Sequence, residues 1–192
     1  LCIHNRPHLN NTKNLLFLAS LLITFFFISS ISESLADSVS HYTPFSISAD
    51  SISYGIPLAA GAMTTCLFLG IELAIPIAML ISIGTAIIFK NRFDIFIYFL
   101  LNSLMAAYWM QNCRERKVFI KAGLKLGLLN VILVTVINVY IGGSTFFKLV
   151  WDWGFAFSGG VGAGIVTAGI APLIEIAFDY TTDIKLLELS NL

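Results

Sequence analysis

Residues Phe146 to Phe178 read FFKLVWDWGFAFSGGVGAGIVTAGIAPLIEIAF. Only Lys148, Asp152 and Glu175 carry charge in this run, and about 20 apolar residues already suffice to cross a hydrocarbon core. The run is too long for one simple span. Two readings fit it: one helix from Ser158 to Phe178 preceded by an interfacial turn at Trp151-Asp152-Trp153, or two short helices packed as a hairpin.

The rest of the chain has the same character. Hydrophobic residues make up 57% and charged residues 11%, where a soluble domain carries roughly a quarter charged residues. Five further apolar runs precede the last one: Leu15 to Ile31, Ile52 to Leu69, Leu73 to Phe89, Phe93 to Trp109 and Ala122 to Ile141. The fold class is therefore all-α, a polytopic transmembrane helical bundle of six or seven spans. No cleavage-site pattern closes the first run cleanly and more apolar runs follow it, so it reads as a span and not as a signal peptide. Pro57, Pro76 and Pro172 interrupt the runs, which membrane helices tolerate where neighbours satisfy the freed backbone groups.

Charge excludes some partners and orients the bundle. Eleven Lys plus Arg balance eleven Asp plus Glu, so no polybasic tail points to nucleic acid. The segment CRERK, Cys113 to Lys117, with Lys121 and Lys125, is the densest basic cluster, and residues 32–53 contain no Lys or Arg. The positive-inside rule places CRERK in the cytoplasm and the first loop outside. A single last span then returns the C-terminus to the cytoplasm, with Lys90 and Arg92 outside as a dissenting pair.

Polar residues inside spans are candidate sites, each with a plainer alternative. Asn130, Thr135 and Asn138 share one span, and the eight-residue separation puts both asparagines on one helical face. They could line a path, together with Glu175, in a transporter or channel. Interhelical hydrogen bonding explains them more simply. Gly123, Gly127, Gly160 and Gly164 have the small-xxx-small spacing that brings helix backbones close, and no Walker-type lysine accompanies the glycine-rich SGGVGAG to suggest a phosphate cradle. Trp109, Trp151, Trp153, Tyr108 and Tyr140 fall at span ends, as an aromatic belt would. Glu175 reads first as an interfacial carboxylate with Lys185 or the CRERK loop as partner.

Chemistry has little to stand on. The sequence lacks HExxH, a nucleophile elbow and an adjacent His-Asp pair, so no catalytic residue, cofactor or metal is assigned to this chain. Cys2, Cys66 and Cys113 have no ligand spacing and read as small apolar residues.

RERKVFIKAGLKLGLLN and, later, Pro172-x-x-Glu175-x-x-Phe178 followed by Thr181-Thr182 and LLELSN to Asn191 resemble the membrane region of the bacterial seven-transmembrane HD phosphohydrolases. The resemblance spans nearly the whole chain and is most specific in the last quarter. It implies a non-catalytic membrane sensor and anchor in the bacterial plasma membrane. A cytoplasmic HD domain of the same polypeptide would bind two divalent metals, manganese or iron, and hydrolyse cyclic di-AMP. It also implies an upstream extracellular domain and leaves room for a homo-oligomer in the bilayer. On that basis residues 1–14 are a polar lead-in, 15–178 the bundle, and 179–192 an amphipathic linker to the HD domain. Pro172, Glu175, Phe178, Thr182, Leu187, Glu188 and Asn191 become candidate coupling residues. The chain is then expected to be cut from a longer one. The two lines of reading differ at the start: charge counting favours a cytoplasmic N-terminus and six spans, whereas entry from an extracellular domain needs seven.

Overall fold

A computed structural model describes residues 12–42, 48–111, 117–142 and 145–178. It contains seven helices among the described residues: α1 (Thr12–Tyr42), α2 (Ala49–Tyr54), α3 (Ala59–Leu69), α4 (Ile71–Ile88), α5 (Phe93–Met110), α6 (Lys117–Ile141) and α7 (Phe146–Phe178). With α2 and α3 taken as one crossing, six segments are long and apolar enough to span a membrane. The all-α, polytopic architecture expected from the sequence is the one observed.

Successive crossings alternate in direction, which gives the bundle two ends. At one end the Phe17 ring meets Phe68 and Phe178 edge-on, with centroids 5.9 and 5.4 Å apart, and joins the start of α1 to the ends of α3 and α7. Asp152 marks the opposite end, where α2 and the start of α7 meet. The α6–α7 hairpin is the most extensive pairing. The core is continuous, with Leu58, Met63, Ile81, Ile95, Tyr98, Phe99 and Leu126 fully or almost fully buried.

Three local features depart from the sequence reading. The Phe146 run is neither a hairpin nor a helix after an interfacial turn: α7 is continuous for 33 residues, Trp151-Asp152-Trp153 included. At 1.5 Å per residue it is about 50 Å long against a hydrocarbon core of about 30 Å. Its first two turns therefore lie at a polar end of the bundle, where α2 supplies partners for Lys148 and Asp152. Second, α1 continues eleven residues beyond the expected end at Ile31, to Tyr42.

Third, the second span is broken between Tyr54 and Ala59. Pro57 lacks an amide hydrogen and disfavours helical geometry at Ile56, so the α2 pattern cannot run through. The carbonyl that the break frees on Tyr54 accepts a 2.9 Å hydrogen bond from the Tyr98 hydroxyl of α5, and the two rings pack edge-on at 5.0 Å. A break at membrane depth survives because protein, not lipid, surrounds it. The turn from α3 to α4 uses Gly70 at φ 86°, a conformation that a Cβ would strain.

Candidate functional site

Asp152 is completely buried on the second turn of α7. The Ser51 hydroxyl of α2 donates to one of its carboxylate oxygens, and the Asn138 side-chain amide of α6 donates to the other at 3.0 Å. Ser48, which caps α2, lies 3.0 Å from the Ser51 hydroxyl. One carboxylate thus ties three helices together, and its charge is met by hydrogen-bond donors as a buried ion requires.

A second polar layer lies beside it. Arg92, at the start of α5, forms ion pairs with Asp50 of α2 and with Asp94, and its Nε is 3.2 Å from the second Asp94 oxygen. Lys148 of α7 reaches the other Asp50 oxygen at 3.5 Å. Burial disfavours the Arg92 charge, but the hydrogen bonds to Asp94 and Asp50 outweigh it and raise its pKa above the ordinary value. Lys90 in the preceding turn lies 3.4 Å from Asp37 and 3.6 Å from Glu33 of α1. Its ammonium is likewise held above the ordinary value, chiefly by the hydrogen bond to Asp37.

Few of these residues stand out in the sequence. Asp50, Ser51, Arg92, Asp94 and Lys148 fall in loops or at span edges and look solvated. Asp152 does carry a signal, an ionisable residue within a long apolar run, which the interfacial-turn reading of Trp151-Asp152-Trp153 conceals.

The sequence-derived candidates fall in three places. Asn130 and Asn138 share the face of α6 that meets α7: Asn130 donates to the Ala156 carbonyl at 3.1 Å, and Asn138 donates to Asp152. Thr135 accepts a 2.8 Å hydrogen bond from the Trp153 indole. All three engage α7. The glycines meet across the same interface. A Cβ on Gly160 would lie 2.3 Å from the Gly127 nitrogen, and one on Gly164 would lie 3.0 Å from the Gly123 Cα and 2.6 Å from the Phe119 carbonyl.

Toward the Phe178 end, Pro172 is exposed while Glu175 and Phe178 are half-buried. Thr182, Leu187, Glu188 and Asn191 lie outside the described residues, as do Lys185 and residues 112–116 of the basic loop. Cys66 is buried with its thiol 3.2 Å from the Ala107 carbonyl. Among the described residues no three His, Cys, Asp or Glu side chains come together as a metal site.

The remaining buried hydroxyls are mostly satisfied within their own helices. Thr64, Ser82 and Thr167 donate to the carbonyl four residues back, at 2.6, 2.7 and 2.8 Å. Such bonds neutralise a hydroxyl in an apolar setting without asking for a ligand. The Asp152 network, which links separate helices, is the polar arrangement that shapes the bundle.

Comparison with known proteins places the whole arrangement. A family described as "7TM receptor with intracellular HD hydrolase" matches residues 1–182. Cyclic-di-AMP phosphodiesterase PgpH of Listeria monocytogenes serotype 1/2a (strain 10403S) is 28% identical over 144 residues, covering 73% of this chain and 20% of that protein. PgpH of Bacillus subtilis (strain 168) is 23% identical over 152 residues, covering 74% of this chain and 21% of that protein. The chain spans about a fifth of the length of these curated relatives. No solved structure matches it. With six membrane-length segments among the described residues and a match that runs through all of them, the chain belongs to the family of seven-transmembrane receptors with an intracellular HD hydrolase.

Proposed function

We propose that this chain is the non-catalytic membrane sensor and anchor of a cytoplasmic HD-type phosphohydrolase that acts on cyclic di-AMP. The observation that carries the reading is the family match over residues 1–182, joined by relatives named for cyclic di-AMP hydrolysis that share with this chain only about a fifth of their length. On this reading the two divalent metals of such a hydrolase belong to the HD domain, and no step of the reaction is assigned to this chain.

On this reading residues 15–178 form the bundle, 1–14 lead into it, and 179–192 couple it to the HD domain through Thr182, Leu187, Glu188 and Asn191, with Pro172, Glu175 and Phe178 at the junction. The Phe178 end faces the cytoplasm of a bacterial plasma membrane. Lys117, Lys121 and Lys125 at the start of α6 support that orientation. Lys90 and Arg92, which the charge rule would rather have inside, are ion-paired with carboxylates of α1, α2 and α5. The Asp152 end is then the outward one, where α2, α5, α6 and α7 converge and where a signal would act on their packing.

The test is enzymatic. The parent protein with manganese should hydrolyse cyclic di-AMP and lose that activity to a chelator, and this chain alone, purified in detergent, should show none. Turnover by the isolated chain that survives removal of contaminating nucleases would refute the non-catalytic assignment. Inactivity of the metal-loaded parent protein would refute the proposed substrate.

A further inference from the structure

Lys117, Lys121 and Lys125 recur every four residues on α6 and all are exposed, so they form a ladder on one side of the helix. Ile120, Leu124 and Leu128, 58%, 46% and 62% exposed, run alongside them. The result is a cationic ladder against an apolar strip. Lysine stems lie along such a strip while their ammonium groups reach the polar layer.

Lys121 and Lys125 differ in their partners from the cations at the other end. Lys90, Arg92 and Lys148 are each ion-paired within the protein, whereas among the described residues neither Lys121 nor Lys125 is. The acidic side chains nearer that end, Glu72 and Glu175, sit on α4 and α7. Lys125 instead places its ammonium 6.0 Å from the centre of the Trp109 ring, a residue type that settles at the headgroup level of a membrane.

We infer that the Lys121–Lys125 face of α6, with Trp109 beside it, binds the headgroup of an anionic phospholipid whose acyl chain lies along Ile120, Leu124 and Leu128. Charge complementarity selects the occupant: a neutral lipid brings no charge to two cations that have no carboxylate partner among the described residues, and a soluble anion leaves the apolar strip unused. The inference does not depend on which side of the membrane this end faces.

Native mass spectrometry of the detergent-purified protein tests it with phosphatidylglycerol and with phosphatidylcholine of the same chains. The wild type should retain phosphatidylglycerol preferentially, and salt should weaken that preference. Each lysine near a surface contributes about a fivefold effect, so Lys121→Gln with Lys125→Gln should weaken phosphatidylglycerol binding by about thirty-fold. Phosphatidylcholine binding should not change. Arginine at both positions should restore the preference, and Lys90→Gln at the other end should leave it intact. Equal retention of the two lipids by the wild type overturns the inference without any variant, and so does wild-type behaviour of the double Gln protein. Displacement of phosphatidylglycerol by inorganic phosphate would also overturn it, because the site would then take a soluble anion.

Discussion

A single carboxylate on α7 decides how the polar end of this bundle is held. Asp152 is buried and accepts from Ser51 and Asn138, so its removal strands one Asn138 N–H, the other being held by the Val134 carbonyl, and leaves the Ser51 hydroxyl only Ser48 as a partner. Asp152→Ala is expected to lower stability by about 2 to 3 kcal/mol, the penalty for an orphaned buried donor. Asp152→Asn keeps the shape and one acceptor, and should lose less. Asn138→Ala alone should cost about 1 kcal/mol, as a single interhelical hydrogen bond does in a membrane protein. Thermal unfolding in detergent ranks the three. An Ala variant at position 152 as stable as the wild type would mean that the network does not support the fold.

At the scale of elements, α6 and α7 are held together by absence of side chains. A Cβ on Gly160 would sit 2.3 and 2.5 Å from backbone atoms of Gly127, and backbone cannot move aside as a flexible side chain can. Gly160→Ala should therefore push the helices apart and reduce stability severely, and Leu should abolish folding. Gly169 lies on the same helix with nothing within 4 Å of its Cβ position. Gly169→Ala should be neutral or stabilising by about 0.5 to 1 kcal/mol, the ordinary helix gain. Circular dichroism melts of the two Ala variants separate the cases. Equal behaviour would show that the close approach of α6 and α7 does not limit stability.

For the molecule as a whole, orientation is the property that connects structure to function. In cells carrying the full protein with Cys2 and Cys66 replaced, Cys113 should resist a membrane-impermeant maleimide, because the positive-inside rule puts the basic loop in the cytoplasm. A cysteine introduced at Tyr140, which is 90% exposed near the opposite end of α6, should label readily in a background without Cys113. The reverse pattern would invert the bundle and overturn the proposed link to a cytoplasmic hydrolase. The same scale explains why α1 and α7 exceed a membrane thickness. Their ends carry the ion pairs and hydrogen bonds to Lys90, Asp50 and Ser51, and polar partners within the protein let those turns extend beyond the hydrocarbon.

What the sequence determined by itself follows from composition and period. Runs near 20 apolar residues permit only membrane-spanning helices, because lipid offers no partner to an open backbone. The spacing of Gly123 with Gly127, and of Gly160 with Gly164, marks faces suited to close packing without saying which helix each would meet. Tertiary structure alone decided the rest. Pro57 predicts an interruption, but that Tyr98 satisfies the broken turn depends on a residue more than forty positions away. Trp151-Asp152-Trp153 looks interfacial locally, and it stays helical because α2 and α6 supply donors that no local pattern reveals. Burial and hydrogen bonding of a charge are properties of its neighbours in space, and for Asp152 those neighbours lie on two other helices.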